Sequence, residues 1–253
     1  MPSVQDEAKR ILQASSDRKI LLRLIGGVAI SLRCPSAGRE NMKRDYVDLD
    51  LLGREKQSAA IAKFFTEMDY EPRKRFNALM GRKRLIFNDL LNQRRVDVFL
   101  DVFEMSHKFD FSKRIEMEPV TLPLADLLAT KLQVVEINAK DFKDMAAIFV
   151  DHDIGSKDGD IVNGAYLAKL CSNDWGIWKT FTLNLSKLKE HLSEYGLSAS
   201  ELDAARDRID RLDRMIGEEP KGFSWKVRAR VGERVPWYEL PEADKPVVSD
   251  SAD

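Results

Sequence analysis

Cysteine is scarce in this chain: Cys34 and Cys171 are the two thiols among 253 residues. Two cysteines make neither a disulfide framework nor a zinc cage, and they read as small apolar residues in a reducing compartment. The three histidines, His107, His152 and His191, have no ligand spacing with one another or with cysteine, so a zinc motif is not expected. No apolar run approaches the roughly 18 residues that a membrane span needs. The opening MPSVQDEAKR has no apolar stretch of the secretory kind, and a cytoplasmic protein is expected. Neither Gly-x-Ser-x-Gly nor a Walker loop is present. Net charge is almost absent too: 41 Lys plus Arg against 42 Asp plus Glu leaves −1. That excludes a globally basic nucleic-acid coat, though not a local basic patch.

What is present is enough for a core, with 43% hydrophobic residues and no internal repeat. Residues 1–17 have the spacing of an amphipathic helix. Lys19 to Ile25 is an apolar run ending at Gly26-Gly27, and Val28 to Cys34 has helical spacing with Pro35 as a stop. Tyr46 to Leu52 alternates as a strand. Ser58 to Met68 reads as a helix. Phe76–Met80 and Leu85–Asn88 flank the basic turn Gly81-Arg82-Lys83-Arg84, which suggests a hairpin. Val96 to Phe103 (VDVFLDVF) is the strongest strand signal. Beyond Pro119, Leu124–Val135, Asp141–Val150 and much of 161–195 read as helices. Ser198-Ala199-Ser200-Glu201 spells a capping box before a charged helix that runs to Ile216. Phe223 to Val231 alternates, which predicts a late strand or extended arm. The expected plan is α/β (α+β): a small mixed sheet with flanking helices, then a mostly helical C-terminal part. Its divisions are 1–118, 119–216, and an arm with a polar tail over 217–253.

The chemistry-bearing residues concentrate before residue 150. Asp48 and Asp50 are two apart on the predicted strand and share a face, where a hard divalent cation would relieve their repulsion. Solvated acids on a half-exposed strand are the plain alternative. Asp97 and Asp101, four apart in the later strand, are expected on one face, and Asp97 could complete a three-carboxylate cluster. An edge strand with one wet face is the alternative for both. Gly26-Gly27 opens a helix whose first amides could cradle phosphate, or it is simply a tight turn. Lys131 falls on the inward face of its helix, where it must snorkel or meet an anion. Lys43 and Arg44 lead into the acid strand, and Arg73, Lys74, Arg75, Arg82, Lys83, Arg84, Arg94 and Arg95 form a basic segment that could track a phosphate backbone or coat a solvated hairpin.

Together IGGVAISLR, KRDYVDLDLL, RRVDVFLDVF and LPLADLLATKLQVVEINAKDFKDMAAIF resemble the minimal nucleotidyltransferase fold of the DNA polymerase β superfamily. The nearest branch is the AbiEii-type nucleotidyltransferases associated with toxin–antitoxin systems, and the resemblance covers roughly residues 20–150. It implies a nucleotidyltransferase sheet and transfer of a nucleoside monophosphate from an NTP to a hydroxyl with Mg²⁺ or Mn²⁺. It implies metal ligation and catalysis by Asp48, Asp50 and Asp97. It implies nucleotide binding by Gly26, Gly27, Lys131 and Arg44, with Asp101, Asp141 and Asp144 as possible accessories. The implied acceptor is the 3′ end of a tRNA or other RNA; a protein hydroxyl or an aminoglycoside are the alternatives, and a cognate antitoxin or toxin is an implied partner. Tyr46 stands where this branch often has Ser or Thr. A non-catalytic module binding nucleotide, RNA or a protein is the reading from another class.

Overall fold

Hydrophobic periodicity sets most of the helices. The structure is a computed structural model and describes residues 3–239; the expected tail from residue 240 onward lies outside the described residues. Helix α1 (Val4–Asp17) buries Val4, Ala8 and Ile11, and the Ser3 hydroxyl caps it by accepting from the Asp6 amide. The next apolar run forms β1 (Leu22–Ile25). The chain then turns straight into α2 (Gly26–Arg33) at Gly26, whose φ of +67° favours glycine.

Strand β2 (Leu49–Gly53) begins three residues later than the sequence suggests. Its pairing with β1 starts at Asp50 and its pairing with β5 starts at Leu49. Asp48 therefore lies just outside the strand. After α3 (Ser58–Glu67) come β3 (Glu71–Pro72), α4 (Lys74–Met80) and β4 (Arg84–Asp89). The expected hairpin between Phe76–Met80 and Leu85–Asn88 does not form, because Phe76–Met80 is helical. The Asn77 side chain brackets the Ile86 backbone, donating to its carbonyl at 3.0 Å and accepting from its amide at 2.8 Å. Strand β4 forms its hairpin with β5 (Arg94–Leu100) instead.

The expected strand Val96–Phe103 breaks at Asp101, which has φ +56°. Beyond the break lie β6 (Val102–Glu104) and β7 (Lys108–Asp110). The sheet order is β1-β2-β5-β4-β3, with β6 and β7 joined beyond β5. The β2–β5 pair is parallel and the other pairs in this sheet are antiparallel. So β5 is a central strand and not an edge. One face carries Leu51, Val98 and Phe87 into the core, where Phe65 of α3 stacks on Phe87 with centroids 4.6 Å apart.

The second half is helical, as expected: α5 (Leu124–Leu132), α6 (Ala139–Asp151), α7 (Gly164–Asn173), α8 (Trp175–His191) and α9 (Ala199–Glu218). Two-residue strands β8 (Ile154–Gly155) and β9 (Val162–Asn163) pair in parallel before α7. The capping box at Ser198 and Glu201 is formed in both directions. Phe223–Val231 is a helix, α10, and not an extended arm. Trp225 donates its indole N–H to the Cys171 carbonyl at 3.0 Å, docking α10 on α7. One connected set of buried apolar side chains runs from Val4 to Ile216. Among the described residues, no helix is long and apolar enough to cross a membrane.

Replacing Ser198 by Ala removes one half of the capping box, and the expected cost is about 1 kcal/mol of unfolding free energy. Chemical denaturation of the variant checks it; an unchanged midpoint would show that the cap contributes nothing.

Candidate functional site

The sheet face opposite Phe87 forms the floor of a cleft of about 340 Å³. Parallel register sets Asp50 of β2 beside Asp97 of β5, on strands roughly 4.8 Å apart. Side-chain alternation puts Arg95 and Phe99 on the same face as Asp97, and antiparallel pairing brings Arg84 of β4 opposite Phe99. The opposite wall comes from α5 and α6, with Lys131 and Asp141 at the opening, and from Arg44 and Tyr46 ahead of β2. Gly26 and Gly27 form the end wall.

The three expected carboxylates lie at different depths. Asp48 is exposed at the lip, Asp50 is half-buried in the floor, and Asp97 is fully buried behind it. Both oxygens of Asp97 are taken. Arg84 Nε and Nη2 reach Oδ1 at 2.8 and 2.7 Å, and Arg95 Nε donates to Oδ2 at 2.7 Å. These two guanidiniums neutralise a charge that could not otherwise stand in the interior. Among the described residues, no group of three His, Cys, Asp or Glu side chains stands ready to hold a metal ion. The fold sets Asp50 and Asp97 side by side and leaves Asp48 at the lip, and Arg84 and Arg95 occupy both oxygens of Asp97, so the expected three-carboxylate cluster is not formed among the described residues. Reading the two arginines as part of a solvated basic hairpin missed this, although the i, i+2 spacing of Arg95 and Asp97 already puts them on one face.

Asp50 differs. No protein donor is bonded to it among the described residues, and burial, then the neighbouring Asp97 charge, push its pKa up to about 6. A Cβ on Gly26 would overlap Asp50 Oδ2, so glycine is required there to seat the carboxylate against the start of α2. Lys131 and Arg84 act on Asp50 only from a distance and do not offset the rise in its pKa.

The cations on the opposite wall are paired. Arg44 grips Asp144 in a fork, Nε to Oδ1 and Nη2 to Oδ2 at 2.8 Å each, and lies 4.3 Å over the Tyr46 ring. Lys131 Nζ stands 2.8 Å from Asp144 Oδ2, the oxygen it shares with Arg44 Nη2, and 3.0 Å from Asp141 Oδ1. Lys131 points inward as its spacing implied and meets anions rather than snorkelling: α6 supplies two. Burial alone would lower its pKa; Asp144 and Asp141 reverse that and hold it above its ordinary value. Asp141 and Asp144 are buried members of this network rather than surface charges. Gly27 leaves room for it, since a Cβ there would land on the Arg44 guanidinium.

Asp101 takes no part. At positive φ it turns away from the cleft, accepting from the Glu55 amide at 3.0 Å and from Arg54 at 3.2 Å. Four-residue spacing puts Asp97 and Asp101 on one face only in an unbroken strand. The basic segment is also divided. Arg82 and Lys83 pair with Glu55 and Glu104, Arg84 and Arg95 enter the cleft, and Lys74 and Arg75 are exposed on α4.

Because folding raises the Asp50 pKa from 3.8 to about 6, the folded state holds that proton more tightly than the unfolded chain. The resulting loss of stability is absent below about pH 4 and complete above about pH 6. Asp50→Asn in metal-free buffer is expected to gain on the order of 2 kcal/mol at pH 7.5, shrinking as the pH falls toward 5. Denaturation at both pH values measures it, and a gain independent of pH would reject the cause. Gly26→Ala is expected to lose about 2 kcal/mol through the positive φ and the clash, and Asp50→Gly in the same chain should recover part of that loss. No protein-family model matches the chain, and no curated protein matches it.

Proposed function

We propose that the chain is a divalent-cation-dependent nucleotidyltransferase of the DNA polymerase β type, on the AbiEii branch, acting on the 3′ end of a tRNA or other RNA. The observation that carries the reading is the Asp50–Asp97 register on the cleft face, with Asp48 at the lip and Gly26-Gly27 above. In the transfer, the acceptor oxygen bonds to the α-phosphorus, the bond from that phosphorus to the bridging oxygen breaks, and pyrophosphate leaves with the electron pair. The acceptor proton passes to a cleft carboxylate or to solvent. Mg²⁺ or Mn²⁺, when bound, supplies positive charge against the phosphates and the acceptor oxygen. Asp48 and Asp50 are the residues that would hold it. Asp97 would join them on release from Arg84 and Arg95, which line the cleft and are then free to meet the triphosphate. Lys131 and Arg44 line the same cleft. The exposed Lys74 and Arg75 on α4 suit an RNA backbone. A cytoplasmic setting and a cognate antitoxin or toxin partner belong to this reading.

One observation favours the non-catalytic alternative, a nucleotide- or RNA-binding module: both oxygens of Asp97 are occupied by arginine. The two readings separate in a transfer assay with each of four α-labelled NTPs, Mg²⁺ or Mn²⁺, and total tRNA, cell protein or aminoglycosides as acceptors. Label is expected on RNA, falling at least about 100-fold in Asp48→Ala while the melting temperature holds. NTP or RNA binding with no label on any acceptor would overturn the enzyme reading in favour of the module.

A further inference from the structure

A second and larger cavity, of about 630 Å³, lies against the first, and Met105 lines both. It is built from the β6–β7 hairpin, the start of α8, α10 and the segment up to Glu239. Its walls are aromatic. Trp225, Trp178, Trp175, Trp237 and Tyr238 form a chain of ring contacts with centroids 5.2 to 6.2 Å apart. All four tryptophans of the protein belong to that chain. The indole N–H groups of Trp225 and Trp237 are already bonded, to the Cys171 carbonyl and to Thr180 Oγ1. With those donors taken, the rings offer a ligand apolar, π-rich surface rather than hydrogen bonds.

His107 also lines this cavity, with 8% of its surface exposed. Its Nε2 lies 2.8 Å from Thr180 Oγ1, and the single Thr180 hydroxyl proton is directed to the Gly176 carbonyl at 3.0 Å. With the Thr180 hydroxyl proton on the Gly176 carbonyl, Nε2 is the donor of the neutral ring and Nδ1 its acceptor. Nδ1 bonds to no group among the described residues, and His107 is one of the residues that line the cavity. The His107 amide donates at 2.8 Å to Gln133 Oε1, and Gln133 lines the first cleft, which ties the imidazole to that site.

The charges at the rim nearly balance, with Glu104, Asp174 and Glu239 against Lys108 and Arg228. Lys83 neutralises Glu104 at 3.0 Å, and Arg228 lies 4.6 Å over Trp175 and donates to the Gly232 and Val235 carbonyls. Such a rim concentrates neither a phosphate nor a metal ion. A flat, neutral ring that stacks and donates one N–H fits it, within the usual range of ligand cavity volumes.

We propose that this cavity binds a nucleobase, held between the tryptophan faces with its exocyclic amine donated to His107 Nδ1. Its contact with the first cleft through Met105 and Gln133 makes it the seat of the acceptor's terminal base, an assignment that rests on the nucleotidyltransferase reading; the base site itself does not. A base carrying an exocyclic amine is preferred over uracil.

Tryptophan fluorescence reports on this cavity because every tryptophan lies in its cluster. The test titrates the whole protein, in EDTA and without NTP, with adenosine, cytidine and uridine. Adenosine and cytidine are expected to change the emission saturably, with uridine at least about 3-fold weaker. His107→Phe should weaken adenosine about 5- to 10-fold, the loss of one hydrogen bond, and erase the difference from uridine. Ser224→Phe fills the mouth from an exposed position and should abolish binding with the melting temperature unchanged. Asp48→Ala should bind as the native protein does. No saturable change with any nucleoside, or binding that survives Ser224→Phe, would overturn the site. Nucleoside binding without nucleotidyl transfer would leave the base site and reject the enzyme; transfer without nucleoside binding would reject the base site alone.

Discussion

A carboxylate with no exposed surface stands in the central strand of the sheet, and the cleft is organised around keeping Asp97 neutralised. Removing water from a charge costs several kcal/mol unless partners replace it. Arg84 from the neighbouring strand and Arg95 from the same strand do so, and Arg84 also lies 4.7 Å over the Phe99 ring. That pairing requires the β4–β5 register to bring Arg84 opposite Phe99, so the ion pair and the hairpin specify one another. It also leaves Asp50 as the floor acid without a bonded cation, beside a second negative charge.

The opposite wall repeats the principle with the signs reversed. Arg44 and Lys131 are cations drawn inward, and Asp144 lies between them with Asp141 beside Lys131. Every one of these cations sits against a protein acid. On the proposed reading, a metal–triphosphate complex brings both signs of charge at once and can exchange with both sets of pairs without leaving either uncompensated.

The helical half does more than cover the sheet. Helices α5 and α6 supply one wall of the cleft, and α7, α8 and α10 supply the aromatic cavity beside it. The shared core running from Val4 to Ile216 makes these walls one body with the sheet. Gln133, at the end of α5, reaches from the cleft to the His107 backbone, so the two cavities share polar and packing contacts as well as Met105.

The sequence by itself determined whatever depends on neighbours within about four residues. Helical spacing and the Ser198 capping box located α1, α2, α5, α6 and α9, and the inward direction of Lys131 followed from its offset to Leu127 and Leu128. The grouping of Asp48, Asp50, Asp97 and the two glycines was legible as a pattern. Tertiary structure decided the rest, because the deciding partners are far away in the chain. Arg44 meets Asp144 across 100 residues, and no local pattern could show that Lys131 ends between two acids. Asp101 leaves the strand where Arg54 and the Glu55 amide hold its carboxylate and its φ is positive, and Phe223–Val231 is a helix docked on α7 through the Trp225 indole. Local sequence chose which side chains could carry charge into the interior; only the packed fold chose which opposite charge each one would meet.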